Sequence, residues 1–474
     1  MAPAIVWFRR NLRLDDNLPL DAALRAHDGV VPVFVLDDHY LTEDFSPPRL
    51  QFLSESLAEL ETNLLAKGSR LLFRKGPTGA ALAALARETG ADAVYTHLDH
   101  EPHGAELARE AQAALSAQGT KLRLLSDLHL VPPGSLRTEA GKPFAVYTPY
   151  SRRWREADKA LPVPAPVRVA TPDAILDPRF PSIPRSRPRG FRVEGAPANP
   201  PGGEREGRTL WDAFRVRALG RYAEARDLPG IEGTSRLSPH LRFGTVGIRR
   251  LLAEARSGWK EADASGRKSI DAFVGELAWR EFYASILAAF PRVLTESFRQ
   301  EFERFPWAGS EEADELFAAW RDGRTGYPIV DAGMRQLAHE GWMHNRVRMV
   351  VASFLTKHLL VDWRRGEELF RARLADGDPA SNNGGWQWSA GCGTDAQPFF
   401  RIFNPVLQGE RFDPDGTYVK RWVPQLAGWR SAGKNLHAPW RASTPPADYP
   451  APVVDHAAAR AKALAAFATI RTGR

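Results

Sequence analysis

Short apolar runs alternate with stretches of helical periodicity in the first quarter of the chain. The helical stretches, Leu50–Gly68, Thr78–Gly90 and Gly104–Gly119, each end in Gly, as helices often do. Apolar runs between helices are typical of strands that are buried on both faces. The pattern therefore predicts an α/β domain over residues 1–130 with a doubly wound, parallel sheet of five strands. The predicted strands are Ile5–Phe8, Val30–Asp37, Arg70–Gly76, Ala93–His97 and Lys121–Asp127.

The pattern changes after residue 130. Residues 161–201 contain eleven prolines, which fix φ and remove backbone donors, so residues 131–202 are predicted to form an extended interdomain linker. Its arginines, Arg185, Arg187, Arg189 and Arg192, are expected to be solvated. Helical periodicity resumes with Leu210–Asp227, and no later run reads as a long strand. Residues 203–474 are therefore predicted to form an all-α domain.

Two helical stretches carry polar and aromatic residues on one face. Asn345, Arg348, Met349 and Ala352 lie at positions i, i+3, i+4 and i+7. The same spacing relates four residues upstream, Glu276, Trp279, Arg280 and Tyr283. A buried arginine needs an anion, so we expect Arg348 to meet Asp376, Asp378 or a bound ligand. Two such faces predict one cavity between helices.

Composition narrows the class of protein. A chain of 474 residues exceeds what one core usually organises, which favours two domains. Its net charge of +7 and pI near 9.5 are compatible with a polyanionic partner but do not require one. No apolar run is long enough to span a membrane, so we expect a cytoplasmic protein without membrane contact, and a monomer. The only cysteine, Cys392, excludes internal disulfides and four-cysteine metal sites.

Five motifs resemble signatures of the photolyase/cryptochrome family, and most closely those of class I cyclobutane pyrimidine dimer photolyases. In chain order they are GTSRLSPHLRFG from Gly233, ELAWREFY from Glu276, TGYPIVDAGMRQL from Thr325, NRVRMVVASFLTKHLLVDWR from Asn345 and DGDPASNNGGWQW from Asp376. The likeness runs from Val6 to Leu426, which is nearly the whole chain.

The resemblance implies FAD in the helical domain. No G-x-G-x-x-G motif follows the first strand, so a standard dinucleotide fingerprint is missing from the α/β domain. Hydroxyls and free N–H groups in the loop after Gly233 could bind a pyrophosphate, although T-S-x-x-S is also common helix-capping chemistry. Asn382 matches the family position that faces flavin N5, yet it also fits turn chemistry before Gly384. The residues that the resemblance assigns to FAD are Tyr222, Thr234, Ser235, Arg236, Leu237, Ser238, Phe273, Glu276, Arg280, Asn345, Arg348, Asp376, Asp378 and Asn382.

Tryptophans and a carboxyl group carry the implied chemistry. From composition alone, most of the 14 tryptophans are expected in the core. By resemblance, Trp386, Trp363 and Trp307 form an electron-transfer chain from flavin to surface. Glu276 and Asn345 would act on the substrate, with burial raising the pKa of Glu276. The resemblance lines the substrate pocket with Trp279, Met349 and Trp388 as well, and gives flanking DNA phosphates to Arg226, Arg346, Lys420 and Arg421.

The function that this resemblance implies is light-driven repair of cyclobutane pyrimidine dimers by a deoxyribodipyrimidine photo-lyase. Excited, reduced FAD would transfer an electron to a dimer flipped out of damaged DNA. A cryptochrome-like photoreceptor without repair activity is the alternative, and a DNA-binding flavoprotein without photochemistry is a third interpretation. Repair of the (6-4) photoproduct generally uses a histidine pair, whereas Asn345 and Met349 match the cyclobutane-specific pattern; His344 leaves that question open.

A second ligand is expected in the α/β domain, at the loop His97–Gly104. The resemblance gives Glu101 a part in holding an antenna chromophore, either 5,10-methenyltetrahydrofolate or 8-hydroxy-5-deazaflavin, with a second flavin as a further candidate. Evenly spaced His97, His100 and His103 suggest a metal site. We expect no metal there, because Pro102 breaks helical geometry and no cysteine lies nearby.

Overall fold

The computed structural model describes residues 2–41, 45–180, 200–309, 311–396, 398–399, 401–429 and 435–470. Its sheet is parallel and has the strand order β3-β2-β1-β4-β5. The strands are β1 (Ala4–Phe8), β2 (Val30–Leu36), β3 (Leu72–Lys75), β4 (Ala93–His97) and β5 (Lys121–Leu125). The predicted five-stranded parallel sheet is therefore confirmed.

Helices cover both faces of this sheet, since side chains along a strand alternate between its faces. Ile5 and Trp7 of β1 pack on one side with Leu82, whereas Val6 and Phe8 pack on the other with Phe52. This alternation explains why β1 is apolar at every position. The first helices are α1 (Leu18–Ala26), α2 (Pro47–Ala66), α3 (Thr78–Thr89) and α4 (Pro102–Ser116).

The range that the sequence predicts as a linker contains two helices, α5 (Tyr147–Glu156) and α6 (Asp173–Leu176). Tyr150 and Trp154 of α5 are fully buried in a cluster with side chains of the helical domain. Val169 is buried against the α/β domain. Part of this range therefore contributes to the cores of both domains. The four linker arginines lie outside the described residues.

Helices form the rest of the described chain, and none of the described residues beyond 203 is in a strand. The all-α second domain is confirmed. Its helices are α7 (Glu204–Arg217), α8 (Tyr222–Ala225), α9 (Ser238–Phe243), α10 (Ile248–Glu261), α11 (Ala264–Ala289), α12 (Glu311–Arg321), α13 (Pro328–Glu340), α14 (Asn345–Lys357), α15 (Trp363–Arg373), α16 (Pro379–Ala390), α17 (Pro405–Phe412), α18 (Thr417–Trp422), α19 (Pro424–Ala427) and α20 (His456–Thr469). Among the helices of the described ranges, none has the length and apolar character of a membrane span.

Buried ion pairs join the two domains. Arg249 of α10 donates to Asp16 at 2.8 Å and to Asp127 at 2.6 Å, and Arg13 donates to Asp127 at 2.8 Å. All four side chains are at most 2% exposed, so each charge depends on its partners to offset the cost of desolvation. The α/β domain is thereby held in a defined position beside the helical domain.

Candidate functional site

Three helices, α11, α14 and α16, carry most of the predicted site residues. α16 packs against both α11 and α14. Asp378 caps the start of α16 by accepting a hydrogen bond from Ser381 N at 2.8 Å, which fixes where the helix begins. His344 caps α14 in the same way, with its Nδ1 accepting from Arg346 N at 3.2 Å. Asn345 is therefore the first residue of α14, and its side chain is exposed.

Arg348 has a carboxylate partner, as the sequence predicts. Its guanidinium donates to Asp376 at 2.9 Å and to the carbonyl oxygen of Met343, also at 2.9 Å. The Arg348 side chain keeps 24% of its exposure, whereas Asp376 keeps 6%. Of the two predicted aspartates, Asp376 is thus the one paired with Arg348. The pair leaves part of the guanidinium available to a ligand.

Asp378 instead faces the α/β domain. Its carboxylate lies 3.7 Å from Arg242, which also donates to Glu101, and Glu101 accepts from Arg10 as well. Burial alone would raise the pKa of Asp378, but Arg242 and neighbouring arginines outweigh it and lower that pKa. This chain of charges connects the start of α16 to the predicted antenna loop.

Arg280 also reaches the domain interface. It donates to the carbonyl oxygens of Leu128, at 2.9 Å, and Leu241, at 3.3 Å, and burial lowers its pKa. A pocket lies between the two domains. Its lining includes Arg10, Asp99, His100, Glu101, His129, Arg280 and Asp378. Two residues predicted to bind FAD, Arg280 and Asp378, thus line the same pocket as the antenna residue Glu101.

The loop before α9 contains the residues that are predicted to bind the phosphates of FAD. Among the described residues, neither the Thr234 hydroxyl nor the Ser238 hydroxyl has a hydrogen-bond partner, and no side chain caps α9. Arg236 adopts a left-handed φ of 54°, donates to Glu340 at 2.9 Å and lies 4.2 Å from the Trp342 ring centroid. Of the remaining predicted residues, Ser235 is half-buried and accepts weakly from Leu237 N at 3.5 Å, and Leu237 is buried.

Other predicted cofactor residues surround this loop and α16. Tyr222 and Phe273 are buried, and their rings meet edge to face with centroids 5.8 Å apart. The Asn382 amide donates to Glu367, to its carboxylate at 2.8 Å and to its carbonyl at 3.0 Å. Glu367 of α15 therefore fixes the orientation of the Asn382 side chain on α16.

The residues present fit a flavin nucleotide. His344 has a buried Nε2 without a hydrogen-bond partner, and burial lowers its pKa to about 4, so the ring is neutral at pH 7. A Cβ at Gly385 would meet no atom within 4 Å, which leaves open space beside the middle of α16. Hydroxyls for phosphates, a partly exposed Arg348 and an oriented Asn382 are groups that a flavin nucleotide requires.

A second polar network lies at the predicted substrate pocket. Arg226 donates to Glu276 at 2.7 Å, and Arg346 donates to Asp227 at 2.9 Å. Arg226 also lies 3.9 Å from Asp227, so the network joins α8, α11 and α14. Burial raises the pKa of Glu276, and the charge of Arg226 only partly offsets this. The Glu276 side chain nevertheless retains 32% of its exposure and can reach a ligand.

Aromatic side chains adjoin this network. Trp279, one turn after Glu276 on α11, is half-buried and stacks on Tyr147, with ring centroids 3.7 Å apart and planes 6° apart. Met349 and Trp388 are also half-buried on α14 and α16. The predicted substrate residues thus lie on α11, α14 and α16, and α16 packs against both of the other helices. They are Glu276, Trp279, Asn345, Met349 and Trp388.

The predicted electron-transfer tryptophans occupy different environments. Trp386 is 2% exposed, and its ring centroid lies 4.9 Å from that of Phe370 and 6.0 Å from that of Trp320. Trp363 is fully buried, and its Nε1 has no hydrogen-bond partner. Trp307 is half-buried against Phe305, with ring centroids 4.3 Å apart. Trp386 and Trp363 belong to the same buried cluster, in which the ring of Trp386 contacts Trp320 and Phe370.

The three histidines of the antenna loop have three different environments. His97 is fully buried and accepts from Arg10 N, His100 faces His129 edge to face, and His103 lies over His39 with centroids 4.2 Å apart. Over the described ranges, no group of three His, Cys, Asp or Glu side chains is placed to hold a metal ion. Lys420 and Arg421, predicted to contact DNA, are exposed on α18.

Comparisons with known proteins agree over both domains. Residues 4–167 match the family model described as DNA photolyase, and residues 273–469 match the FAD binding domain of DNA photolyase. A deoxyribodipyrimidine photo-lyase of Halobacterium salinarum is 42% identical, covering 98% of this chain and 99% of that protein.

Two solved structures are similar to this chain over nearly its full length. A bacterial class III photolyase from Agrobacterium tumefaciens is similar with a TM-score of 0.91 and 38% identity, covering 100% of this chain and 98% of that one. An archaeal photolyase from Sulfolobus tokodaii, whose crystal structure contains two FAD molecules, has a TM-score of 0.84 and 31% identity, covering 98% and 100%.

An α/β domain followed by a helical domain that matches an FAD-binding model defines a two-domain flavoprotein class. The chain belongs to the DNA photolyase family.

Several residues that hold the site residues in place were not predicted from the sequence. Asp227 lies between Arg226 and Arg346, Arg242 connects Glu101 to Asp378, and Tyr147 stacks on Trp279. Asp227 and Arg242 lie next to or within segments already selected, so a search for charge partners could have found them. Tyr147 lies in the predicted linker, where no periodic signal marks it.

Proposed function

We propose that this protein is a light-driven deoxyribodipyrimidine photo-lyase that binds FAD and repairs cyclobutane pyrimidine dimers in DNA. The observation that carries the proposal is Glu276, a partly exposed carboxyl group with a raised pKa, held by Arg226 one helical turn before Trp279. In its protonated form this carboxyl group could donate a hydrogen bond to a carbonyl that gains negative charge. Its aromatic neighbour suits an apolar pyrimidine dimer.

In this proposal the helical domain holds the cofactor. Thr234, Ser235 and Ser238 would bind its phosphates, while Arg348, held by Asp376, would face the flavin together with Asn382. When bound, FAD would supply the light-absorbing, electron-donating chemistry of the reaction. Glu367 keeps the Asn382 amide oriented, and Asp376 keeps Arg348 in place.

Binding of the lesion is assigned to the surface formed by α11, α14 and α16. The exposed Asn345 amide offers both a donor and an acceptor to the polar edges of the pyrimidines. Trp279 and Trp388 would flank the rings, and Met349 would fill the floor of the pocket. Arg226 and Arg346 retain 28% and 18% of their exposure beside it, so they could exchange part of their pairing with Asp227 for DNA phosphates.

The pocket between the domains is the proposed antenna site. It adjoins the helical domain through Arg280 and Asp378 and the α/β domain through Glu101. Its charged lining suits a folate or deazaflavin, both of which carry polar rings and anionic tails. A second flavin is a further candidate, supported by the two FAD molecules in the Sulfolobus tokodaii relative.

A single experiment tests the function. The purified protein is expected to show the absorption bands of a bound flavin and, after chemical reduction, to cleave the dimer of a thymine-dimer oligonucleotide under blue light but not in the dark. A Glu276→Ala variant and an undamaged oligonucleotide serve as controls. Binding without cleavage under illumination would favour a photoreceptor, and absence of flavin would refute the proposal altogether.

A further inference from the structure

Tyr147 makes the tightest aromatic contact of the proposed pocket. Its ring lies parallel to Trp279, with centroids 3.7 Å apart and planes only 6° apart, whereas aromatic pairs usually meet offset or edge to face with centroids about 4.5–7 Å apart. Tyr147 thus covers one face of the indole almost completely. A bound ligand can therefore stack only on the other face of Trp279.

Two hydrogen bonds fix the Tyr147 ring in this position. Its hydroxyl donates to the carbonyl oxygen of Gly275 at 2.8 Å, which lies one turn before Trp279 on α11. Its backbone N–H donates to Asp395 Oδ2 at 3.3 Å. The ring is consequently held both by α11 and by a segment distant in sequence.

That distant segment follows α16, the helix that carries Trp388. Thr394 donates its hydroxyl hydrogen to the carbonyl oxygen of Ala145, two residues before Tyr147. Asp395 adopts a left-handed φ of 46°, which costs free energy for a residue other than Gly and persists only when its surroundings hold it. The two bonds together tie residues 145–147 to the segment that follows α16.

We infer that Tyr147 is a positioning residue that fixes the ring plane of Trp279, and that its tie to Asp395 sets the spacing between Trp279 and Trp388. The inference rests on the proposed function, in which these two tryptophans flank the pyrimidine dimer. A rigid, V-shaped lesion tolerates little rotation of the rings beside it. A fixed cleft therefore discriminates the dimer from an intact base better than two mobile tryptophans do.

The test compares Tyr147→Ala with Tyr147→Phe, because Phe keeps the stacked ring and loses only the hydroxyl. Each protein is labelled with 5-fluorotryptophan, and the Trp279 resonance is assigned in the ¹⁹F spectrum through its loss in Trp279→Phe. We expect Tyr147→Ala to shift and broaden this resonance, since the ring current of Tyr147 is removed, whereas Tyr147→Phe should leave it close to its wild-type position.

DNA binding provides the second measurement. Loss of the stacked ring is expected to weaken binding of dimer-containing DNA by about 2- to 12-fold, the equivalent of about 0.5–1.5 kcal/mol for an aromatic pair. Binding of the undamaged oligonucleotide should stay unchanged, which a general loss of structure would not produce. Asp395→Ala should give a smaller effect of the same kind, and Asp395→Asn, which retains an acceptor oxygen, should restore it.

The outcomes separate this inference from the proposed function. A wild-type protein that binds both oligonucleotides equally would refute the proposed function and the inference with it. If the wild type discriminates and Tyr147→Ala keeps both the discrimination and the Trp279 resonance, the inference alone is overturned. Tighter binding by Tyr147→Ala would also overturn it, since Tyr147 would then occupy space that the lesion needs.

Discussion

Gly366 is where the packing of Trp386 can be tested by adding one methyl group. A Cβ on Gly366 would lie 2.2 Å from Trp386 Cη2, 2.4 Å from Cζ3 and 2.7 Å from Leu355 Cδ2. Both the glycine and the indole are buried, and Phe370 and Trp320 pack against the indole. The Trp386 ring therefore cannot yield without moving its neighbours.

Two opposing effects decide the stability of Gly366→Ala. Alanine in a helix interior gains about 0.5–1 kcal/mol over glycine, because the unfolded chain has less freedom to lose. Overpacking of a buried site costs about 1–3 kcal/mol. The clash should win, and we expect a net loss of about 1–2 kcal/mol, which corresponds to a fall in Tm of about 2–4 °C.

Thermal unfolding and photoreduction provide the assay. Gly258→Ala on α10 is the matched control, since a Cβ there would meet only Ile270 Cδ1 at an ordinary 3.9 Å. This variant should be slightly more stable than wild type. Displacement of the Trp386 ring in Gly366→Ala should also slow photoreduction of oxidised flavin, with dimer repair by chemically reduced enzyme retained. A Gly366→Ala protein that melts at or above the wild-type temperature and photoreduces at the wild-type rate would refute this account of Trp386.

Four further predictions concern the site and a buried lysine. Trp386→Phe should block photoreduction of oxidised FAD yet permit repair once the flavin is reduced chemically, as measured by absorption and by dimer cleavage. Glu276→Ala should retain flavin and lower the repair yield by about tenfold, because a hydrogen bond to a developing charge is lost; in the wild type, repair should fall as pH rises through the raised pKa of Glu276. Asn345→Ala should weaken binding of dimer-containing DNA by about tenfold and that of undamaged DNA far less. Lys357 is fully buried, donates to the Arg401 carbonyl at 3.0 Å, and burial lowers its pKa to about 7. The lysine of the unfolded chain has a pKa near 10.4, so between about pH 7 and 10 the unfolded state binds more protons than the folded state. The contribution of Lys357 to the free energy of unfolding therefore increases by about 1.4 kcal/mol for each pH unit in this range. Lys357→Met should therefore raise Tm most at and below pH 7, and the gain should shrink toward pH 10.

Each of these predictions has a contrary outcome. Undiminished photoreduction in Trp386→Phe would assign its role to another aromatic residue, such as Trp320, whose ring centroid lies 6.0 Å from that of Trp386. An unchanged repair yield in Glu276→Ala would show that this carboxyl group takes no part in repair. If Asn345→Ala weakened binding of damaged and undamaged DNA equally, Asn345 would have no specific contact with the dimer. Lys462→Met, an exposed site on α20, controls for the loss of charge in Lys357→Met. An equal rise in Tm at pH 7 and pH 10 would contradict the lowered pKa of Lys357.

The periodicity of apolar residues was sufficient to predict the strands and helices whose faces are buried. The three central strands β1, β2 and β4 were predicted to within a few residues because a strand that is covered on both sides is largely apolar, as β1 is. The edge strands β3 and β5 are partly exposed and contain Arg and Lys, so their prediction rested on their position between helical stretches. The face shared by Asn345, Arg348 and Met349 followed from helical period alone, and so did the need of Arg348 for an anion. The resemblance to the photolyase/cryptochrome family indicated FAD as the cofactor, which the spacing of residues could not indicate by itself.

The tertiary structure decided which charges meet. Asp376 and Asp378 are two residues apart and looked equivalent as partners of Arg348, yet only Asp376 pairs with it, because Asp378 caps α16 and faces Arg242 at the domain interface. Likewise, no pattern in the linker indicated that Tyr147 covers Trp279. Sequence periodicity specifies the face of a helix on which a residue lies, but the partner across that face depends on how distant segments pack, and that is determined only by the assembled fold.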